Sequence, residues 1–188
     1  MQSTVGSRAF QNARLQKKFK KQAEALISAA FAAFGEGRRA DAEALCRRIL
    51  RDLPGHFDAL HLLGVCELTA RRFEEATETL ERAVAADPRS ADAHSDLGTV
   101  LFELRRFEDA RACQEKAVAL KPNFPLALTN LGNTLLHLGL GGQAIELHDR
   151  AIRLKPDYAD AYCNRGMAEL MVGLYQNASE SFDRALLF

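Results

Sequence analysis

Apolar residues recur along this chain at helical spacing, in paired bursts separated by a short polar turn. Leu60, Leu63, Gly64 and Leu68 mark a first stretch, Ala70-Arg71-Arg72 a turn, and Phe73, Ala76, Leu80, Ala83 and Val84 a second stretch. Side chains three and four apart share a helix face, so each burst predicts an amphipathic helix with one buried stripe. A proline then closes the pair, because it lacks an N–H and its fixed φ stops the second helix. The pattern returns every 34 residues, at Pro54, Pro88, Pro122 and Pro156 and at Gly64, Gly98, Gly132 and Gly166. Two alanine ladders keep the same period: Ala25, Ala59, Ala93, Ala127 and Ala161, and Ala42, Ala76, Ala110, Ala144 and Ala178. Such self-similarity predicts stacked helix–turn–helix units, here 23–56, 57–90, 91–124, 125–158 and a shortened 159–188, behind a basic helical lead-in at 1–22.

The small residues have a packing role. Glycine and alanine at fixed places let two helices approach closely, and a large side chain at Gly98 is expected to cost about 1–3 kcal/mol through overpacking. The segment Gly139-Leu140-Gly141-Gly142 replaces the Arg-Arg-Phe-Glu of the two preceding units, losing a packed Phe and adding backbone entropy. It is expected to be the softest junction of the stack.

Composition narrows the function. With 47% hydrophobic and 27% charged residues the chain reads as an ordered, soluble protein. No apolar run is long enough to span a membrane. The net charge is +0, which disfavours wholesale electrostatic binding of nucleic acid. That zero hides an asymmetry: residues 1–22 carry Arg8, Arg14, Lys17, Lys18, Lys20 and Lys21 and no acid, leaving 19 basic against 25 acidic groups in the body. Leu15, Phe19, Ala23, Leu26 and Ala30 fall at helical spacing, so the basic head reads as a solvated helical cap, with an acidic-membrane or nucleic-acid contact, or a targeting peptide, as the alternatives. Cys46, Cys66, Cys113 and Cys163 form no CxxC pair, which fits reduced thiols in a cytoplasmic protein.

These residues resemble the tetratricopeptide repeat family over nearly nine-tenths of the chain. Its Leu-Gly, Ala, Ala and Pro signature stands at Leu63-Gly64, Ala76, Ala83 and Pro88, again at Leu97-Gly98, Ala110, Ala117 and Pro122, and at Leu131-Gly132, Ala144, Ala151 and Pro156. The resemblance implies an all-α, right-handed superhelical solenoid whose first helices line a concave wall. Several positions depart from the pattern. Ala29-Ala30 replaces Leu-Gly, Ile49 replaces Ala, and Arg165 precedes Gly166. Gln114 and His148 occupy the aromatic position of the second helix, and Glu67 and Glu169 a usually apolar position of the first.

First-helix positions 2, 5, 6, 9 and 13 form the inward stripe. Position 6 reads Ser28, Leu62, Asp96, Asn130 and Asn164, and position 9 reads Phe31, Val65, Thr99, Asn133 and Met167. Asparagine both donates and accepts, so a ladder of it can hold the backbone of an extended peptide whatever its side chains. The bland alternative is a merely polar, wet surface. Asp96, Thr99, Asn130, Asn133 and Asn164 are the candidate contacts, with Met167 and Met171 as an adaptable apolar patch.

The asparagines resemble those of the superhelical arm of O-linked N-acetylglucosamine transferases, which implies sequence-tolerant capture of substrate segments for a catalytic domain further along. Chaperone-binding members of the family grip a terminal carboxylate with inward Lys. Positions 2, 5 and 9 here hold no Lys or Arg, so an acidic tail is not the expected ligand.

No catalytic chemistry emerges from the sequence. The 139–142 glycines lack the strand before and the Gly-Lys-Ser/Thr after that a phosphate loop needs. His94 and His148 fall on packing faces, and His137 and His148 have no ligand companions at zinc spacing. No cofactor or metal is expected. The chain stops at Ala185-Leu186-Leu187-Phe188, before the expected proline, which reads as a cut within a longer protein. If it is not one, those apolar residues should drive self-association. The expectation is therefore a non-enzymatic scaffold for an extended peptide or protein segment, with no nucleic-acid partner and no membrane span. The alternatives are a transferase arm and a self-assembling module.

Overall fold

The computed structural model describes Phe19 and residues 21–188. Of the basic lead-in at 1–22, everything but Phe19, Lys21 and Gln22 lies outside the described residues, and so does the reading of its role. Among the described residues the chain is all helix, with no strand. The elements are α1 (21–35), α2 (Arg39–Asp52), α3 (Phe57–Thr69), α4 (Phe73–Ala86), α5 (Ala91–Glu103), α6 (Phe107–Leu120), α7 (Pro125–His137), α8 (Gly141–Leu154), α9 (Ala159–Met171) and α10 (Tyr175–Ala185). They fall into two compact units, Met1–Asp87 and Pro88–Phe188.

Helix ends follow local chemistry. The last two residues before Pro54, Pro88, Pro122 and Pro156 are the final residue and C-cap of α2, α4, α6 and α8. The next helix is capped by a side chain in two cases: His56 accepts from the Ala59 N–H and Ser90 from the Ala93 N–H. At the same place before α7 and α9 stand Phe124 and Tyr158, each under a lysine ammonium, Lys121 at 4.2 Å and Lys155 at 4.7 Å.

Every turn within a helix pair holds one residue of left-handed backbone at the same register: Gly37, Arg71, Arg105, Gly139 and Gly173. That conformation lets two N–H groups return to the helix end, a Schellman closure. At the turn after α7, Gly139 N–H reaches Leu136 O at 3.0 Å and Leu140 N–H reaches Leu135 O at 2.9 Å, as at the other turns. Hydrogen bonding therefore does not set this junction apart. Gly141 and Gly142 belong to the first turn of α8 rather than to the turn. The space beside Gly141 is taken by α9: an added Cβ would lie 2.8 Å from Val172 Cγ1 and 3.4 Å from Met171 Sδ.

Within each pair from α3–α4 onward, a second-helix side chain sits where the first-helix glycine leaves room. A Cβ at Gly64 would meet Leu80 at 2.5 Å, at Gly98 Gln114 at 2.5 Å, at Gly132 His148 at 2.6 Å and at Gly166 Phe182 at 2.7 Å. At Gly98 the backbone of α6 closes in as well, with Ala110 O at 3.2 Å. Gly98→Leu is accordingly expected to cost about 1–3 kcal/mol in urea unfolding followed by circular dichroism. A loss under about 0.5 kcal/mol, the range of an ordinary surface change, would show that the helices separate freely. The alanine ladders are fully buried from Ala42 and Ala59 onward, while Ala25 is exposed because no described element packs over it.

The two buried glutamates each face an arginine, and Glu67 Oε2 is left without a hydrogen-bond partner. Glu67 (4% exposed) faces Arg47 on the preceding helix at 3.4 Å, and Arg47 also pairs with Glu43 at 2.9 Å. Burial pushes the Glu67 carboxyl above its ordinary range, against the nearby Thr79 hydroxyl and Arg47. Glu169 (5% exposed) accepts from the Ser181 hydroxyl. The register position of Arg47 holds Asp149 there, and the missing cation comes from Arg165, which reaches Asp149 at 2.8 Å and Glu169 at 3.5 Å. That accounts for Arg165 standing where the family has Leu.

Candidate functional site

The Pro88–Phe188 unit places α7 against both α5 and α9, while α6, α8 and α10 touch only first helices. First helices close together with second helices splayed apart make the first-helix side of this unit its concave side. Four of the five register positions assigned to the inward stripe leave side chains at least partly open there. Position 5 does so only at Cys163, which is exposed, whereas Ser95 and Thr129 are 1% and 3% exposed. They point into the seams between helices, with hydroxyl oxygens that find no partner. In the Met1–Asp87 unit Leu62 is also buried, so the polar run at position 6 does not reach it.

Three of the seven candidate residues converge. Thr99 on α5 and Asn130 and Asn133 on α7 line a pocket of about 140 Å³ together with Phe102, Glu103 and Gln114. Asn130 Nδ2 donates to Thr99 Oγ1 at 3.1 Å, and Thr99 Oγ1 donates to Ser95 O at 3.0 Å. Gln114 on α6 forms the floor, 1% exposed, its Oε1 accepting from Thr134 Oγ1 at 2.7 Å. Asn133 Oδ1 is buried and accepts from nothing. Phe102 is fixed by edge contacts with Phe107 at 5.4 Å and His137 at 4.9 Å.

The other four candidates lie apart from this pocket. Asp96 and Asn164 are half-buried on α5 and α9, and neither lines it. Met167 is 49% exposed on α9. Met171, beside Gly141, belongs to an exposed apolar edge with Val172, Leu174 and Tyr175.

Three lining residues were not among the sequence candidates. Glu103 occupies position 13, which helical spacing marks as inward, and so was within reach. Gln114 stood out only as a departure from an aromatic pattern. Phe102 carried no signal, because its place depends on its contacts with Phe107 and His137.

Of the histidines set on packing faces, His148 is fully buried, and burial pulls its imidazole down to about 4. His94 is half-buried, with Nε2 3.2 Å from Pro88 O. The four cysteines are free thiols, and burial raises Cys46 to about 12 and Cys66 to about 11. No described helix is long and apolar enough to cross a membrane. Among the described residues no cluster of His, Cys, Asp or Glu is arranged to hold a metal.

The helix pairs, their glycine contacts and this concave side define a helical-repeat protein. Models of the tetratricopeptide repeat match residues 33–89, 67–125, 95–158 and 129–186, and the chain belongs to that family of protein-interaction repeats. No curated protein matches it significantly in sequence. Among solved structures it is similar to MamA, with 27% identity and a TM-score of 0.75 over 84% of this chain and 92% of that one. It is also similar in fold to pilF of Pseudomonas aeruginosa (23%, TM-score 0.79, 90% and 78%). The third is YrrB, described as a TPR protein with an unusual peptide-binding site (24%, TM-score 0.73, 89% and 90%).

Proposed function

We propose that the protein is a scaffold that holds an extended peptide segment along the first-helix side of the Pro88–Phe188 unit. Asp96, Thr99, Asn130, Asn133 and Asn164 would contact it, with Met167 as an apolar neighbour. The observation that carries this reading is the pocket between α5 and α7, where a buried Asn133 carbonyl oxygen has no donor. A buried acceptor left unmatched costs about 1–3 kcal/mol, which a bound N–H would recover.

The double variant Asn130→Ala, Asn164→Ala is expected to lose binding to phage-displayed twelve-residue peptides selected on the wild-type chain. Its helicity should stay unchanged by circular dichroism. Equal affinity for both chains would refute the asparagine ladder.

A second reading, a module that pairs with its own copies, is favoured by exposed Leu170, Met171, Val172, Leu174 and Tyr175, the last 72% exposed. Leu186, Leu187 and Phe188 are exposed too, with Phe188 stacked on Tyr162 at 5.9 Å. A mass that rises with concentration in light scattering would support it, and a constant monomer mass would remove it.

A further inference from the structure

The pocket between α5, α6 and α7 is not a neutral cleft. Its hydroxyl hydrogen is already committed, Thr99 to a backbone carbonyl, and so is one amide nitrogen, Asn130 to Thr99. The Gln114 carbonyl is committed to Thr134. One buried oxygen remains without a donor, Asn133 Oδ1, and beside it the exposed carboxylate of Glu103 forms no ion pair among the described residues. Both therefore ask for a hydrogen-bond donor, and Glu103 asks for one that carries positive charge. Phe102, held by Phe107 and His137, supplies an apolar flank along which a hydrocarbon stem can lie. The volume, about 140 Å³, is roughly that of five waters. It is too small for a stretch of main chain with its side chains, and enough for one long side chain.

We propose that this pocket is an anchor subsite for a single lysine or arginine side chain of the bound segment, its cation lying between Glu103 and Asn133 Oδ1. The inference rests on the peptide-binding reading above and adds to it a preference for one kind of residue. It turns a backbone-gripping surface into one with a register. The asparagines tolerate any sequence, while the pocket fixes where a basic residue must fall.

The test uses the full chain, labelled with ¹⁵N, titrated with the blocked peptide acetyl-Ser-Ala-Lys-Ala-Ser-amide and with versions carrying Arg, Met or Glu in place of Lys. Lys and Arg peptides are expected to shift the amide resonances of Thr99, Phe102, Glu103 and Asn133 and to bind about tenfold tighter than the Met peptide. Glu103→Gln, an exposed change with little risk to folding, should erase that preference, so that Lys and Met peptides bind the variant alike. Equal binding of Lys and Met peptides, with shifts on α5 and α7, would overturn the subsite and leave the groove standing. Shifts confined to other helices would also overturn it. No shift with any peptide would overturn the groove and the subsite together.

Discussion

Lowering the pH from 7 to 4 is expected to remove about 3 kcal/mol of stability through one residue, His148. Its ring lies where the family places an aromatic residue, 2.6 Å from a Cβ that Gly132 does not have. Both ring nitrogens are buried without partners. Burial is the main cause holding its imidazole at about 4; Arg165 adds to the depression and Asp149 opposes it. An unfolded chain takes up a proton on this histidine near pH 6.5, and the folded one does not until about 4. Across that window the unfolded state binds more protons. Stability is therefore full above the unfolded value and falls as the pH drops towards the folded one.

The measurement is urea unfolding at several pH values for wild type and His148→Leu, the residue type that fills the same place at Leu80. Carboxylates contribute to acid sensitivity in both chains, so the difference between them isolates His148. The variant should also gain about 1 kcal/mol at pH 7, since it no longer buries two orphaned nitrogens. Parallel pH profiles would refute this account.

The second large effect is expected at Arg165. Replacing it with the family's leucine leaves Glu169 buried, with the Ser181 hydroxyl but no cation, and Asp149 without its 2.8 Å partner. Removing one member of a buried pair typically costs about 3–5 kcal/mol. The Arg165 side chain is 21% exposed, so water recovers part of that and about 2–4 kcal/mol is expected. The triple variant Arg165→Leu, Glu169→Leu, Ser181→Ala removes the buried part of the polar set and leaves only Asp149, whose side chain is 38% exposed, without a cation; the preceding pair is apolar there, with Leu135 packed with Leu147. This variant should recover to within about 1 kcal/mol of wild type, because an ion pair exchanged for well-packed apolar groups is often neutral. Thermal unfolding of the three chains distinguishes the outcomes. A triple variant as unstable as Arg165→Leu would mean that the leucine itself is misfitted there.

These two residues show where sequence reading reached and where it stopped. His148 was placed on a packing face by register, and it is buried. Arg165 and Glu169 registered only as two separate departures from a pattern. Their mutual compensation, with Asp149 from the preceding helix, was invisible in a one-dimensional period. The glycine-rich segment at 139–142 shows a related limit. Four residues that read as a loose turn divide into one left-handed glycine, an N-cap, and a helix start closed over by Met171 and Val172.

The sequence by itself determined the helix pairs, their 34-residue period and the glycine and alanine contacts between neighbours. In a repeat stack each unit touches only the next, so nearly all the packing information is local and recurs. What tertiary structure alone decided was which inward residues meet. Thr99, Asn130 and Asn133 share a pocket with Phe102, Glu103 and Gln114, while Asn164 and Met167 lie outside it. Such a meeting depends on rotamers and distances between three different helices, and a period marks which face a residue occupies without marking what stands opposite.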